Sequence, residues 1–329
     1  MHYELSGYVH SEGRHCGSGS LVNLLQYAGK PLSEPMVIGL GAALGFGYFS
    51  ATGFSPSRGF FTRSSDLETE FCERIGIRCT KHREEEPARA WEAVRAEVLA
   101  KRPVMLNSDI QLLKYFGSKT HFNGHKTLLV GFDDEEKVAL ISDTEFPSIQ
   151  KEPLETLAEA RASRFPPAVE GGSPWFTFEF PKELRSLPQA IREAIRKQAE
   201  RLLSMEVPFG PKGMHKAAEE FPGWSRVEDA PWCARFAYQI IERRGTGGGA
   251  FRKMYAEFLG EARSIVPEIA RAGLFEEMAA IASRWTELAE ELKRLSELKG
   301  SLDFVRSSGL MADLAKREQR YCELALNAV

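Results

Sequence analysis

Cys16 sits in the string Gly-Arg-His-Cys-Gly, directly before Leu21, Leu24, Leu25 and Ala28, whose spacing predicts a helix over about residues 17–27. A thiol at a helix start meets unpaired backbone N–H groups and the positive end of the macrodipole. Both favour the thiolate, the nucleophilic form of cysteine. A model thiol with a pKa of about 8.5 is only a few per cent ionised at neutral pH, and lowering it by about three units makes it mostly thiolate. The helix alone does not supply that shift, so an imidazolium beside the sulfur is required. His125, at the mouth of the apolar run Lys126–Phe132, is the candidate, and Asp143 follows the next run, Val138–Ser142. The polar stretch Asp133–Lys137 between them reads as a hairpin turn. His125 and Asp143 lie nine residues either side of Asp134, so a turn centred there sets them opposite each other. A slip of half a residue leaves them diagonal neighbours. Asp143 would then fix the tautomer of His125 and steady its imidazolium, and His125 would take the proton of Cys16.

Taken singly, each residue has a commoner structural role: a packed cysteine, a polar residue at a strand end, a turn aspartate. The joint order Cys, helix, His-strand-turn-strand-Asp is what points to chemistry. The other thiols compete poorly. Cys72 lies within a helix whose inner face is Leu67, Phe71 and Ile75 and whose start, Ser65 with Glu68, resembles a capping box. Cys79 alternates with Ile77, and Cys322 lies in the last helix. Cys233 is the rival, because Ala230-Pro231-Trp232 also opens a helix, but only His215 lies near it in sequence. Five scattered cysteines suit reduced thiols and a cytoplasmic location. No metal site is expected: His121 and His125 stand in HFNGH without the glutamate of a zinc-peptidase helix, and His15 has no second cysteine nearby.

The elements that must position these groups fit a two-part chain of 329 residues, 43% hydrophobic and 27% charged, enough apolar material for a core without a metal or disulfide staple. A net charge of −3 gives no basic field for nucleic acid. The longest apolar run, Met36–Phe49, is 14 residues with four glycines, too short to span a bilayer, and the N-terminus shows no signal-peptide pattern. Within that run GLGAALGFG lacks the context of a dinucleotide fingerprint and reads as a closely packed helix. Trp91, Val94, Val98 and Leu99 mark another helix, stopped before Pro103, and Pro103–Asn107 reads as a strand. Residues 185–329 read as helices near 188–205, 231–244, 250–265, 268–298 and 302–327. The Pro- and Gly-rich loop Phe165–Pro174 marks the junction, giving domains 1–170 and 171–329. Leu274, Met278, Ile281, Trp285, Leu288, Leu292 and Leu295 form a heptad seam, for a helix of the same chain or for a second copy in a homo-oligomer. Gly247, Gly248 and Gly249, with Arg252, lead into a helix and form either an anion-binding start or a flexible turn. Arg192, Arg196, Lys197 and Arg201 share one helical face, either solvated or a dock for an acidic partner.

Three segments carry a family resemblance. GRHCGSGSLVNLLQYAGKPLSEPMVIGLGAALGFGYF resembles the N-terminal domain family named after the butirosin-biosynthesis acyltransferase, GHKTLLVGFDDEEKVALISDTE resembles that family's His and Asp strands, and RGTGGGAFRKMYAEFL resembles the helical domain often fused behind it. The resemblance implies an α+β, papain-like catalytic domain with a Cys16–His125–Asp143 triad, followed by an all-helical domain that covers the substrate cleft. It implies acyl transfer from a thioester to a small-molecule amine. No bound cofactor is needed, and a phosphopantetheine thioester on an acyl carrier protein is the co-substrate. Hydrolysis by the same triad (peptidase or amidase) and a non-catalytic binding module stay open. Papain-like enzymes place a glutamine six residues before the cysteine as an oxyanion donor; here that position is His10, which either donates in its place or is a surface residue.

Overall fold

The computed structural model describes residues 1–64 and 66–329. The chain divides into two compact units, each built from two stretches: Met1–Val37 with Gly76–Leu184, and Ile38–Ile75 with Arg185–Val329.

The first unit is a mixed α/β body around a seven-stranded antiparallel sheet. The order along the sheet is Arg78–His82, Trp175–Glu179, Val104–Asp109, Asn123–Asp133, Val138–Ser142 and Gln150–Pro153. The short strand His2–Glu4 pairs with the far end of Asn123–Asp133. That central strand is the longest, and its residues Leu128, Leu129, Val130 and Phe132 are buried, as expected for a strand covered on both faces. The helix Cys16–Tyr27 packs against this strand, and Phe132 meets Trp91 edge-on and carries Arg95 over its ring. Trp91 and Arg95 belong to the helix Pro87–Leu99, which starts on a proline and has its first amides capped by Glu86.

The junction expected at 170 lies later, at Leu184/Arg185. The strand Trp175–Glu179, beyond the Pro/Gly loop, fills the gap between two sheet strands and so belongs to the first unit.

The second unit holds the helices Leu187–Ser204, Gly210–Glu220, Ala230–Glu242, Arg252–Ala262, Pro267–Arg271, Leu274–Glu297 and Val305–Ala328. It also holds a hairpin, Leu44–Ser50 with Arg58–Arg63. This corrects the helix expected through GLGAALGFG. The helix Glu34–Leu40 ends there, Ala42 turns at φ 45°, and the strand follows with Phe46 and Tyr48 buried. A side chain at Gly45 would lie 2.7 Å from the Arg63 backbone, so this glycine serves close strand approach, whereas Gly39, still in the helix, packs against the Phe258 ring as a close helix contact. The expected helix over 268–298 breaks at Gly273, whose φ of 65° no continuous helix accommodates. The helix Leu67–Ile75 buries Leu67, Phe71 and Ile75 as expected, whereas the capping position proposed at Ser65 lies outside the described residues.

All seven seam residues of Leu274–Glu297 are buried within the chain, against the helices Ala230–Glu242, Arg252–Ala262 and Val305–Ala328. Three residues of the basic face have partners within the chain: Arg192 pairs with Glu268 at 3.0 Å, Arg201 with Glu70 at 2.9 Å, and Arg196 reaches the Val329 main-chain oxygen at 2.6 Å. Among the described residues, no helix is long and apolar enough to cross a membrane.

Candidate functional site

The helix of Cys16 begins where the sequence placed it. His15 is its N-cap, with extended backbone, and its Nδ1 accepts the Ser18 amide at 3.1 Å. Glu34 closes the same loop from outside. Its carboxylate accepts the amides of Arg14 (2.9 Å) and His15 (3.0 Å) and the Ser18 hydroxyl (2.8 Å), with the Arg14 guanidinium 3.5 Å away. Gly13 and Gly19 pack so closely on Thr144 that a side chain at Gly13 would lie 2.9 Å from the Gly19 Cα. The turn before Cys16 is therefore held against the segment that carries Asp143. Cys16 itself is half-buried.

His125 and Asp143 meet, but not by the register expected. The turn Asp134–Lys137 sets Asp133 opposite Val138 and so is centred beyond Asp134, and a bulge between Leu129 and Gly131 takes back one residue of that shift. Leu128 faces Ser142, which sets Asp143 diagonal to His125 rather than opposite. The contact survives because diagonal residues on one sheet face remain within side-chain reach. His125 Nε2 lies 2.7 Å from Asp143 Oδ2. The ring also makes a hydrogen bond with the Cys16 side chain, which leaves Nδ1 for the sulfur. Burial works against charge on the imidazole, yet Asp143 and Cys16 outweigh it and raise its pKa to about 10. Burial also pushes the Asp143 carboxyl up, but His125, the Glu145 amide (3.1 Å) and the Tyr115 hydroxyl hold it below the usual carboxylate range. Together these shifts describe a cation on His125 held between a carboxylate and a thiol.

An aromatic wall closes this pair off. Phe116 stands edge-on to His125 at 5.2 Å, and Phe146 packs edge-on against both Tyr115 and Phe116. Neither His15, Glu34, Tyr115 nor this wall was anticipated from sequence. The spacing of His15 and Ser18 was the one local signal, since a cap reaches the amide three residues on.

His10 lies elsewhere in the network. Its Nδ1 meets Ser142 Oγ at 2.7 Å and its Nε2 the Phe146 carbonyl at 2.8 Å, while the Tyr8 hydroxyl donates to the same serine at 2.8 Å. Both ring nitrogens are thus engaged in tying the N-terminal segment to the loop after Ser142, and neither is left to donate to an oxyanion.

Of the two readings of the glycine run, the contacts favour the turn. The amides of Gly248 and Gly249 bond Thr246 Oγ1 (3.2 Å) and Glu242 Oε1 (3.1 Å), and a side chain at Gly247 would collide with Met254. A carboxylate of the protein already stands where an anion would bind. Arg252 is fully buried. It forms a bidentate pair with Glu318, both bonds 2.8 Å, and gives its remaining N–H groups to the carbonyls of Gly45, Thr62 and Ala250. With all five donors satisfied, it is a structural arginine.

Cys233, the rival thiol, is buried beside Ser57 and Asp229. Burial pushes it up, away from the reactive form. Among the described residues, no group of three or more His, Cys, Asp or Glu is arranged to hold a metal.

The first unit is thus a mixed α/β body that sets a helix-borne cysteine against a histidine and an aspartate from neighbouring strands. The chain belongs to the family defined by the domain of unknown function DUF4872, whose model matches residues 155–325, and its residues 15–144 match the model for butirosin biosynthesis protein H, N-terminal. The latter match begins one residue before Cys16 and ends one after Asp143. No curated protein matches the chain.

Proposed function

We propose that the first unit is a papain-like catalytic domain and that the protein is a cysteine acyltransferase, moving an acyl group from a thioester to an amine. The observation that carries this reading is the hydrogen-bonded series Cys16–His125–Asp143 at a helix start. The butirosin biosynthesis protein H model covers all three residues, and its name supports a place in biosynthesis.

The steps follow from the groups present. The Cys16 thiolate attacks the thioester carbonyl, and the oxyanion develops beside the start of the helix, where the dipole favours it. The tetrahedral adduct expels the donor thiolate, which takes the proton of His125, leaving an acyl-Cys16 thioester. Exchange between thioesters is nearly isoenergetic, which suits this nucleophile to that donor. An uncharged amine then attacks the acyl carbon while His125, now neutral, takes its proton. Collapse releases the amide and restores the thiolate–imidazolium pair. Asp143 keeps Nε2 protonated throughout, so that Nδ1 is the nitrogen that exchanges protons. The donor is bound to a carrier protein or coenzyme A through its phosphopantetheine thiol.

The protein is incubated with an acyl thioester, with and without amines. Amide formation faster than release of free acid supports the transferase. Free acid alone, or peptide cleavage without amide, replaces it by a hydrolase with the same triad. Alkylation by iodoacetamide at about pH 6 tests the nucleophile itself: Cys16 labels faster than a model thiol, which is almost wholly protonated there. Equal rates make the unit a non-catalytic binding module.

A further inference from the structure

Asp143 Oδ2 accepts two hydrogen bonds, one from His125 Nε2 at 2.7 Å and one from the Tyr115 hydroxyl at 2.8 Å. We propose that Tyr115 is a positioning residue that sets how tightly Asp143 holds the imidazolium of His125. This rests on the catalytic reading above. The phenol is placed for the task by its own backbone. The fully buried Glu152 carboxylate accepts the amides of Lys114 (3.1 Å) and Tyr115 (3.3 Å), and the rings of Phe116 and Phe146 flank the side chain. Burial, with Asp143 and Glu152 close by, keeps the hydroxyl protonated well above the usual phenol range, so it acts only as a donor here.

A donor on the oxygen that holds His125 draws charge from it. The carboxylate becomes a weaker base, and the imidazolium gives up its proton more readily than with Asp143 alone. The sulfur and the amine each need His125 to cycle between its two forms, so a grip that is too strong slows the second half of the reaction. The charged and titratable groups facing this centre are Cys16, His125, Asp143, Tyr115, Glu145 and Glu152, with Glu34 beyond Glu145.

The test is an NMR titration of the His125 ring in full-length Cys16→Ala protein, where the thiolate no longer contributes. Tyr115→Phe removes the donor at constant ring volume, and the ring midpoint rises by roughly half a unit or more. Fluorotyrosine inserted at position 115 donates more strongly, and the midpoint falls. Opposite movements in the two proteins establish the role. An unchanged midpoint in either, with a dispersed amide spectrum, overturns it and leaves Tyr115 as packing. Should Tyr115→Phe fail to fold, the fluorotyrosine protein decides alone. The titration reads the ring rather than turnover, so a failed thioester assay removes the proposed reaction without altering this result.

Discussion

Replacing His125 by glutamine removes the cation beside Cys16 while keeping an N–H donor for the buried Asp143 carboxylate. In the wild type the imidazolium persists up to about 10, so at neutral pH the sulfur lies beside a positive charge. In the variant the thiol has only the helix start to favour ionisation. Taken as an ordinary thiol of pKa about 8.5, it is ionised to about 3% at pH 7, about a quarter at pH 8 and about three quarters at pH 9. The thiolate signal should therefore fall about thirtyfold at pH 7, about fourfold at pH 8, and converge with the wild type above pH 9. The assay is the ultraviolet absorbance of the thiolate, measured as the difference between each protein and its Cys16→Ser counterpart. That subtraction removes the other four cysteines; burial of Cys233 and Cys322 pushes both thiols up. Absorbance is preferable to alkylation rate in this case, because a thiolate of lower pKa is also a weaker nucleophile. Equal thiolate fractions in the two proteins at pH 7 would refute the coupling of Cys16 to His125. So would a deficit that persists at pH 10, which would mean that the substitution had disturbed the site rather than its charge.

His10→Ala should lower the acylation rate less than tenfold, since its ring ties Ser142 to the Phe146 carbonyl; single-turnover kinetics showing a loss of a hundredfold or more would restore the oxyanion role. Glu34→Ala leaves the Arg14 and His15 amides without their acceptor, so hydrogen exchange at residues 14–18 should quicken, at a stability cost of about 1–3 kcal/mol read by urea denaturation. Glu318→Ala leaves a fully buried arginine without its counter-charge and the Trp285 indole without its acceptor, and should destabilise the second unit by about 3–5 kcal/mol while the Cys16 thiolate signal stays as in the wild type.

Local pattern carried a large part of this molecule. The helix at Cys16, the strands through Leu128 and Leu140 and the helices of residues 185–329 are written in apolar spacing and in helix-starting prolines, which act over a few residues and need no partner to be read. The order Cys16, His125, Asp143 was legible for the same reason, because a hairpin brings its two strands together whatever the rest of the chain does. What the spacing left open was the register, since a turn centred beyond Asp134 moves Asp143 away from His125 along the strand, and one bulged residue near Gly131 brings it back only as far as the diagonal. GLGAALGFG misled beyond its first two residues because small residues fit a packed helix and a close strand pair equally well, and the Arg63 backbone decides between them at Gly45. Arg252 beside a glycine run looked like an anion site until Glu318, 66 residues away in sequence, took both of its arms. Tyr115, Glu34 and the bonds of His10 to Ser142 and Phe146 were invisible for a related reason. Each acts through a partner distant in sequence, and hydrogen bonds of that kind exist only once burial has removed the competing water.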